Sequence, residues 1–346
     1  MGLSILGALL PVMLVVAIGW AVSRHGWVTQ SSVKDISNLV FFVLLPALLF
    51  RTMANVSVSE LNFAPVGIYF LAAFIVFGGT LAVYGFRTKA AARGLAHAFS
   101  NLVMVGVPIV SLFYGEQGLV PLFTLVTVHA LVLMSSATVV FELASAYEAT
   151  GRAGRKPVWR RGKFRATKPT AEQGEAASSP DAGDPPHRLV STAWQAVRNS
   201  LLHPVPIPIL AGIFFAYTGS QLPDAIDRTL QMLGTAMGPM ALLLVGMTLG
   251  YARIGRTWRG ALRTSLVKCL LLPFVFFCCA FVLGARGPSI QVLLLCAALP
   301  IGANVMLFTL RYGVAQEEVT ASMALSTVVA LSCIPLVVLV LSPVLA

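Results

Sequence analysis

The chain has 346 residues, 57% of them hydrophobic and only 11% charged, with a formal net charge of +11. Soluble domains carry about 25% charged residues, so this composition excludes a soluble globular enzyme and describes an all-α polytopic membrane protein. On a soluble chain the basic excess would suggest nucleic acid, but no aromatic-interleaved basic motif of that kind occurs.

Apolar windows of about 20 residues predict ten spans. They lie near 3–22, 36–54, 64–85, 94–114 and 119–142 in the first half, and near 201–219, 229–250, 260–284, 288–310 and 319–343 in the second. The first window has no basic residue before it and Arg24 after it, the pattern of a spanning helix rather than a cleaved leader. Span two carries Leu45-Pro46-Ala47-Leu48-Leu49, with its proline near the middle.

Span four contains Ser100-Asn101-Leu102-Val103-Met104-Val105-Gly106-Val107-Pro108, and span nine contains Leu299-Pro300-Ile301-Gly302-Ala303-Asn304. Each joins a proline, a glycine and an asparagine inside a run long enough to cross a bilayer. Proline removes an amide donor and clashes with the preceding turn. Glycine lets the backbone unwind, and asparagine can bond freed peptide groups or a ligand. Taken singly, either stretch reads equally well as an ordinary proline kink. A matched pair, one per half, points instead to a transporter's binding site.

The chain divides into a first five-span repeat over 1–143, a cytoplasmic linker over 144–199 and a second repeat over 200–346. The linker holds Arg152, Arg155, Lys156, Arg160 and their neighbours, then a stretch rich in alanine, glutamate, serine and proline. It is too poor in large apolar residues to build a core and reads as a disordered tether. With both termini outside, 21 of the 24 lysines and arginines fall in inner segments; Arg51, Arg228 and Arg286 do not. This satisfies the positive-inside rule and accounts for the net charge.

Five spans per half force the second repeat to be inverted. Span seven repeats a mid-span proline in Gly238-Pro239-Met240, and Phe113-Tyr114-Gly115 matches Arg311-Tyr312-Gly313 at an offset of 198 residues. The expected fold is therefore two inverted five-helix repeats with broken helices four and nine crossing near the midplane. Each break leaves a half-helix N-terminus with unpaired amides and a positive dipole end, for which a carboxylate is the usual guest. The candidate substrate-binding residues are Asn101, Gly106, Pro108, Pro300, Gly302 and Asn304. Either asparagine can reach a carboxylate oxygen or satisfy local carbonyls.

At these residues the chain resembles the auxin efflux carrier family, which includes plant carriers and bacterial permeases for malonate and related organic acids. The resemblance covers roughly 1–143 and 200–346 and not the linker. Its carriers are the Pro11…Gly19-Trp20 opening helix, Leu45-Pro46-Ala47-Leu48 and Asn101…Gly106-Val107-Pro108. It implies a crossover fold with scaffold and transport subdomains, a homodimer, and movement of small organic anions across the plasma membrane. Pro108, Pro300, Asn101 and Asn304 are carried over; the plant carriers' further polar binding residues find no match, which counts against auxin itself.

Ionisable residues within spans are functional candidates. His129, beside Thr124, Thr127, Ser135 and Ser136, is a candidate for proton coupling because imidazole changes charge near neutral pH; the other reading is a neutral ring bonded to a backbone carbonyl. Lys268 either pairs with an anion or extends toward the inner surface, and Arg51 extends toward the outer one. Glu142 lies at the inner rim. Cys269, Cys278, Cys279, Cys296 and Cys333 all lie in apolar runs without metal-ligand spacing and read as small core residues.

A sodium/proton antiporter needs midplane carboxylates, and no span has a central Asp or Glu. An intramembrane hydrolase would need a Ser/His pair, a metal cluster or paired aspartates. There is no P-loop, and neither a cofactor nor a metal is expected. The expectation is a secondary carrier of small mono- or dicarboxylates such as malonate, working by alternating access with a proton or sodium as coupling ion. A sodium-coupled bile-acid-type symporter and a non-transporting receptor are the alternatives.

Overall fold

The structure, a computed structural model, describes residues 2–56, 62–153, 206–252, 255 and 257–345. Among these the regular elements are helical: α1 (Gly2–Arg24), α2 (Gln30–Ala54), α3 (Ala64–Tyr84), α4 (Thr88–Ala98), α5 (Val107–Ala153), α6 (Pro206–Tyr217), α7 (Asp224–Tyr251), α8 (Trp258–Val282), α9 (Pro288–Ala298), α10 (Val305–Tyr312) and α11 (Gln316–Val340). Among the described residues, six helical stretches are long and apolar enough to cross a membrane: α2, α3, Leu102–Glu148, α7, α8 and α11. Shorter apolar helices fall at the expected first, sixth and ninth spans. The linker expected over 144–199 lies outside the described residues from 154 onward; before that, α5 runs on to Ala153, past the expected end of span five.

Three of the prolines follow a widened helical turn. The five residues Val40–Leu44, Leu102–Gly106 and Val267–Leu271 form π-helical turns, and the second residue after each is Pro46, Pro108 or Pro273. A proline ring collides with the carbonyl four residues back and offers it no N–H. Widening the preceding turn by one residue relieves that collision without ending the helix.

Small residues bring α1 and α7 together. A Cβ at Gly246 would collide with the Val16 carbonyl oxygen, one at Gly19 with that of Leu243, and one at Gly250 with the Ser23 hydroxyl. Gly246 and Gly250 are four apart, the spacing that lets membrane helices approach backbone to backbone. Helix α6 packs along α2, α10 and α9 lie against α11, and α3 packs against α8. At one end of the bundle the Arg93 guanidinium on α4 donates twice to Glu318 on α11, at 2.7 and 2.9 Å, joining the two halves of the sequence.

Candidate functional site

The two interrupted stretches meet. Helix α4 ends at Ala98, Phe99 turns extended (φ −91°, ψ 111°), and the chain re-enters a helix after Asn101. Helix α9 ends at Ala298; the next residue precedes Pro300, which biases it away from α geometry, and Leu299 is extended at ψ 156°. Ser100 and Ile301 then face each other in an antiparallel bridge. The Asn101 amide donates to the Pro300 carbonyl at 2.8 Å, and the Gly302 amide donates to the Phe99 carbonyl at 3.0 Å. Non-helical backbone buried away from water must find partners in the protein, and here each break supplies the other's.

Both candidate glycines sit where the breaks press together. A Cβ on Gly302 would lie 2.6 Å from the Phe99 ring and 3.0 Å from the Ser100 carbonyl oxygen, and one on Gly106 would lie 2.8 Å from the Leu299 Cδ1. Asn101 caps the helix that follows it, its Oδ1 accepting from the Met104 amide at 3.2 Å. With Phe99 extended, that bond places the first interruption at Phe99–Asn101, at the start of the Ser100–Pro108 stretch and ahead of its proline. Pro108 is buried in the first turn of α5. Asn304 is half-buried at the start of α10, and its amide nitrogen lies 3.7 Å from the Met134 sulfur. Thus Asn101, Gly106, Pro300 and Gly302 form one knot, while Asn304 points toward α5.

Three side chains that the sequence reading left out of the site hold this knot. Lys268 does not extend to the surface: it is fully buried, and its Nζ donates to the Ala297 and Leu299 carbonyls, both at 2.8 Å. The Ser326 hydroxyl accepts from the Ile301 amide at 3.1 Å, and the Tyr69 hydroxyl donates to Ser100 Oγ at 2.7 Å. A lone lysine in an apolar span is itself a signal; Ser326 and Tyr69 carry none, because serine and tyrosine are common in such helices.

His129 is enclosed beside the first break. Its ring lies 4.5 Å from that of Phe99 in an edge-on contact, with Tyr69 and Phe70 on other sides. Its Nε2 is 3.4 Å from the Tyr69 hydroxyl, which takes the place of the backbone carbonyl considered from the sequence.

Helix ends set the electrostatics. The amide ends of the helices after Asn101 and Asn304 carry partial positive charge, and the carbonyl ends of α4 and α9 partial negative charge, each about half an elementary charge. The Lys268 ammonium sits on the carbonyl end of α9 and offsets it. The second break therefore has a positive balance. Beside the first turn of α5 is a cavity of about 550 Å³, lined by Pro108, Ser111, Arg51, Glu116, Gln231 and Thr235 among apolar neighbours. Of the six candidate binding residues, Pro108 alone lines this cavity.

The chain matches the family described as "Membrane transport protein" over residues 4–338. It is 23% identical over 338 residues to the "Putative malonate transporter" of Rhizobium meliloti (strain 1021), covering 96% of this chain and 94% of the relative. To "Uncharacterized transporter YfdV" of Escherichia coli (strain K12) it is 22% identical over 332 residues, 93% and 92% of the two chains. "Auxin efflux carrier component 8" of Arabidopsis thaliana is 23% identical over 242 residues, 67% of this chain and 65% of that one.

Proposed function

Because the chain belongs to the membrane transport protein family, that of the auxin efflux carriers, we propose that it is a secondary carrier of small organic anions, binding a carboxylate where its two broken helices meet. The observation that carries this reading is the mutual pairing of the breaks through Asn101, Pro300, Gly302 and Phe99. It brings two helix amide ends together inside an apolar bundle, and such ends favour anions. Lys268 adds a full positive charge on the same side of the balance. The name of the Rhizobium relative puts malonate first among the acids to try.

The proposal includes ten spans in two inverted repeats, with the termini outside and the linker inside. Two observations support it. Residues 107–114 and α10 both end at a glycine with positive φ, Gly115 at 63° and Gly313 at 64°, 198 residues apart as the sequence pairing required. Helix α1 packs on α7 and α6 on α2, contacts that a two-fold relation between the halves would exchange. Alternating access then means movement of the paired breaks and their supporting helices α3, α8 and α11 against the group formed by α1, α2, α6 and α7.

Purified protein screened by thermal shift against malonate, succinate, pyruvate and indole-3-acetate, at two pH values with and without sodium, tests the substrate class. Stabilisation by one or more of the acids is expected, and its sodium or pH dependence identifies the coupling ion. No shift with any of them, together with no flux in proteoliposomes, would refute an organic-anion carrier. Asn304→Ala is expected to lower carboxylate uptake several-fold with an unchanged melting temperature, since among the described residues the partner of its amide nitrogen is the Met134 sulfur, a weak contact. Unchanged uptake would remove Asn304 from the site. For His129, a coupling role predicts that His129→Gln flattens the pH profile of flux. Enclosure by three aromatic rings is the stronger observation, so an unaltered profile is the expected result and a flattened one would assign the coupling proton to it.

A further inference from the structure

Arg51, near the end of α2, has its guanidinium divided between two acids. Nε and Nη2 donate to the two carboxylate oxygens of Asp227 on α7, at 2.9 and 3.2 Å. The remaining nitrogen, Nη1, donates to Glu116 on α5 at 3.3 Å. The two acids are held very differently. Asp227 is engaged by both oxygens and its side chain is 29% exposed, whereas Glu116 makes a single long contact and is 79% exposed. A forked, partly buried pair is strong and fixes the arginine's plane; an exposed one-point pair contributes little. Arg51 and Glu116 line the same cavity as Pro108.

We propose, resting on the anion-carrier reading above, that Arg51 is the first carboxylate-binding residue on the route to the paired breaks, aimed by Asp227 and masked by Glu116, which the incoming anion displaces. The substrate's carboxylate takes the Glu116 position on Nη1 while the Asp227 fork stays in place. Glu116 follows Gly115, whose positive φ of 63° breaks α5 and turns the next residue toward Arg51. Once displaced, Glu116 faces solvent at no cost in burial. The arrangement selects against neutral and cationic solutes, because only an anion replaces what Glu116 gives Arg51.

The test is binding of malonate, succinate, pyruvate and indole-3-acetate to the purified full-length protein by isothermal titration, using whichever acid the wild type binds best. Arg51→Gln is expected to weaken binding on the order of tenfold or more, the loss of a charge-assisted hydrogen bond. Glu116→Gln is expected to tighten it, by up to about fivefold, because a weak competitor is gone. These opposite signs separate the proposal from a purely structural ion pair, for which both variants weaken binding or neither does. If Arg51→Gln fails to fold, Arg51→Gln with Asp227→Asn removes both charges together, and the same weakening is expected. Binding unchanged by loss of Arg51, or weakened by Glu116→Gln, would overturn the proposal and leave the carrier reading standing. A wild type that binds none of the four acids and carries none of them in proteoliposomes would overturn both.

Discussion

Gly302→Val is expected to lower carboxylate flux in proteoliposomes at least tenfold while the protein still inserts and purifies. The reason is local. A Cβ at 302 already meets the Phe99 ring at 2.6 Å and the Ser100 carbonyl oxygen at 3.0 Å, and the second of these is backbone that cannot swing aside. Overpacking of this kind costs about 1–3 kcal/mol. Displacing the chain also strains the Gly302-to-Phe99 hydrogen bond, worth about 1 kcal/mol. Together these exceed the roughly 1.4 kcal/mol that corresponds to a factor of ten. Gly302→Ala should show a smaller loss and Gly106→Ala the smallest, because the atom Gly106 meets is the movable end of Leu299. Equal flux across the series would mean that the two breaks do not press together.

Lys268→Met is expected to lower the melting temperature clearly and to weaken carboxylate binding in whatever protein survives. The side chain is fully buried with two carbonyl acceptors, and among the described residues it makes no salt bridge. Methionine fills similar space but leaves the Ala297 and Leu299 oxygens without that donor, at about 1–3 kcal/mol for each unsatisfied group. Removing the ammonium also restores the negative carbonyl end of α9 beside the proposed anion site. Because the pocket around Nζ is closed, Lys268→Arg is not expected to rescue either property: the guanidinium is wider and forked. Thermal melts with and without the best-binding acid measure both effects. Wild-type stability and binding in Lys268→Met would show that the lysine neither caps α9 nor shapes the field.

The helical architecture was legible in the sequence because membrane spans announce themselves by composition, and the breaks because Pro, Gly and Asn coincide in both halves. What could not be read was where the first break lies within its stretch. Pro108 marks the second residue of α5, and the interruption is set six or more residues earlier by Asn101, whose side chain caps the next turn. Such a cap depends on a hydrogen bond and leaves no mark in hydropathy. Lys268 was visible as a charge, but its partners are carbonyls 29 and 31 residues away, and backbone acceptors have no sequence signature. Arg51 was legible as a basic residue at the end of a span and not as a bridge, since Asp227 lies 176 residues further on.

Ala303 offers the most direct test of the central claim that a carboxylate binds at the paired breaks. It is exposed, between Gly302 and Asn304, at the amide end of α10. In a variant with the five native cysteines replaced, Ala303→Cys is labelled with a charged methanethiosulfonate reagent, with and without a saturating concentration of the best-bound acid. The account predicts that the acid slows labelling several-fold while leaving an exposed control position such as Val83, mutated to cysteine, unaffected. Labelling of Ala303→Cys at an unchanged rate, in protein that demonstrably binds the acid, would place the carboxylate elsewhere and contradict it.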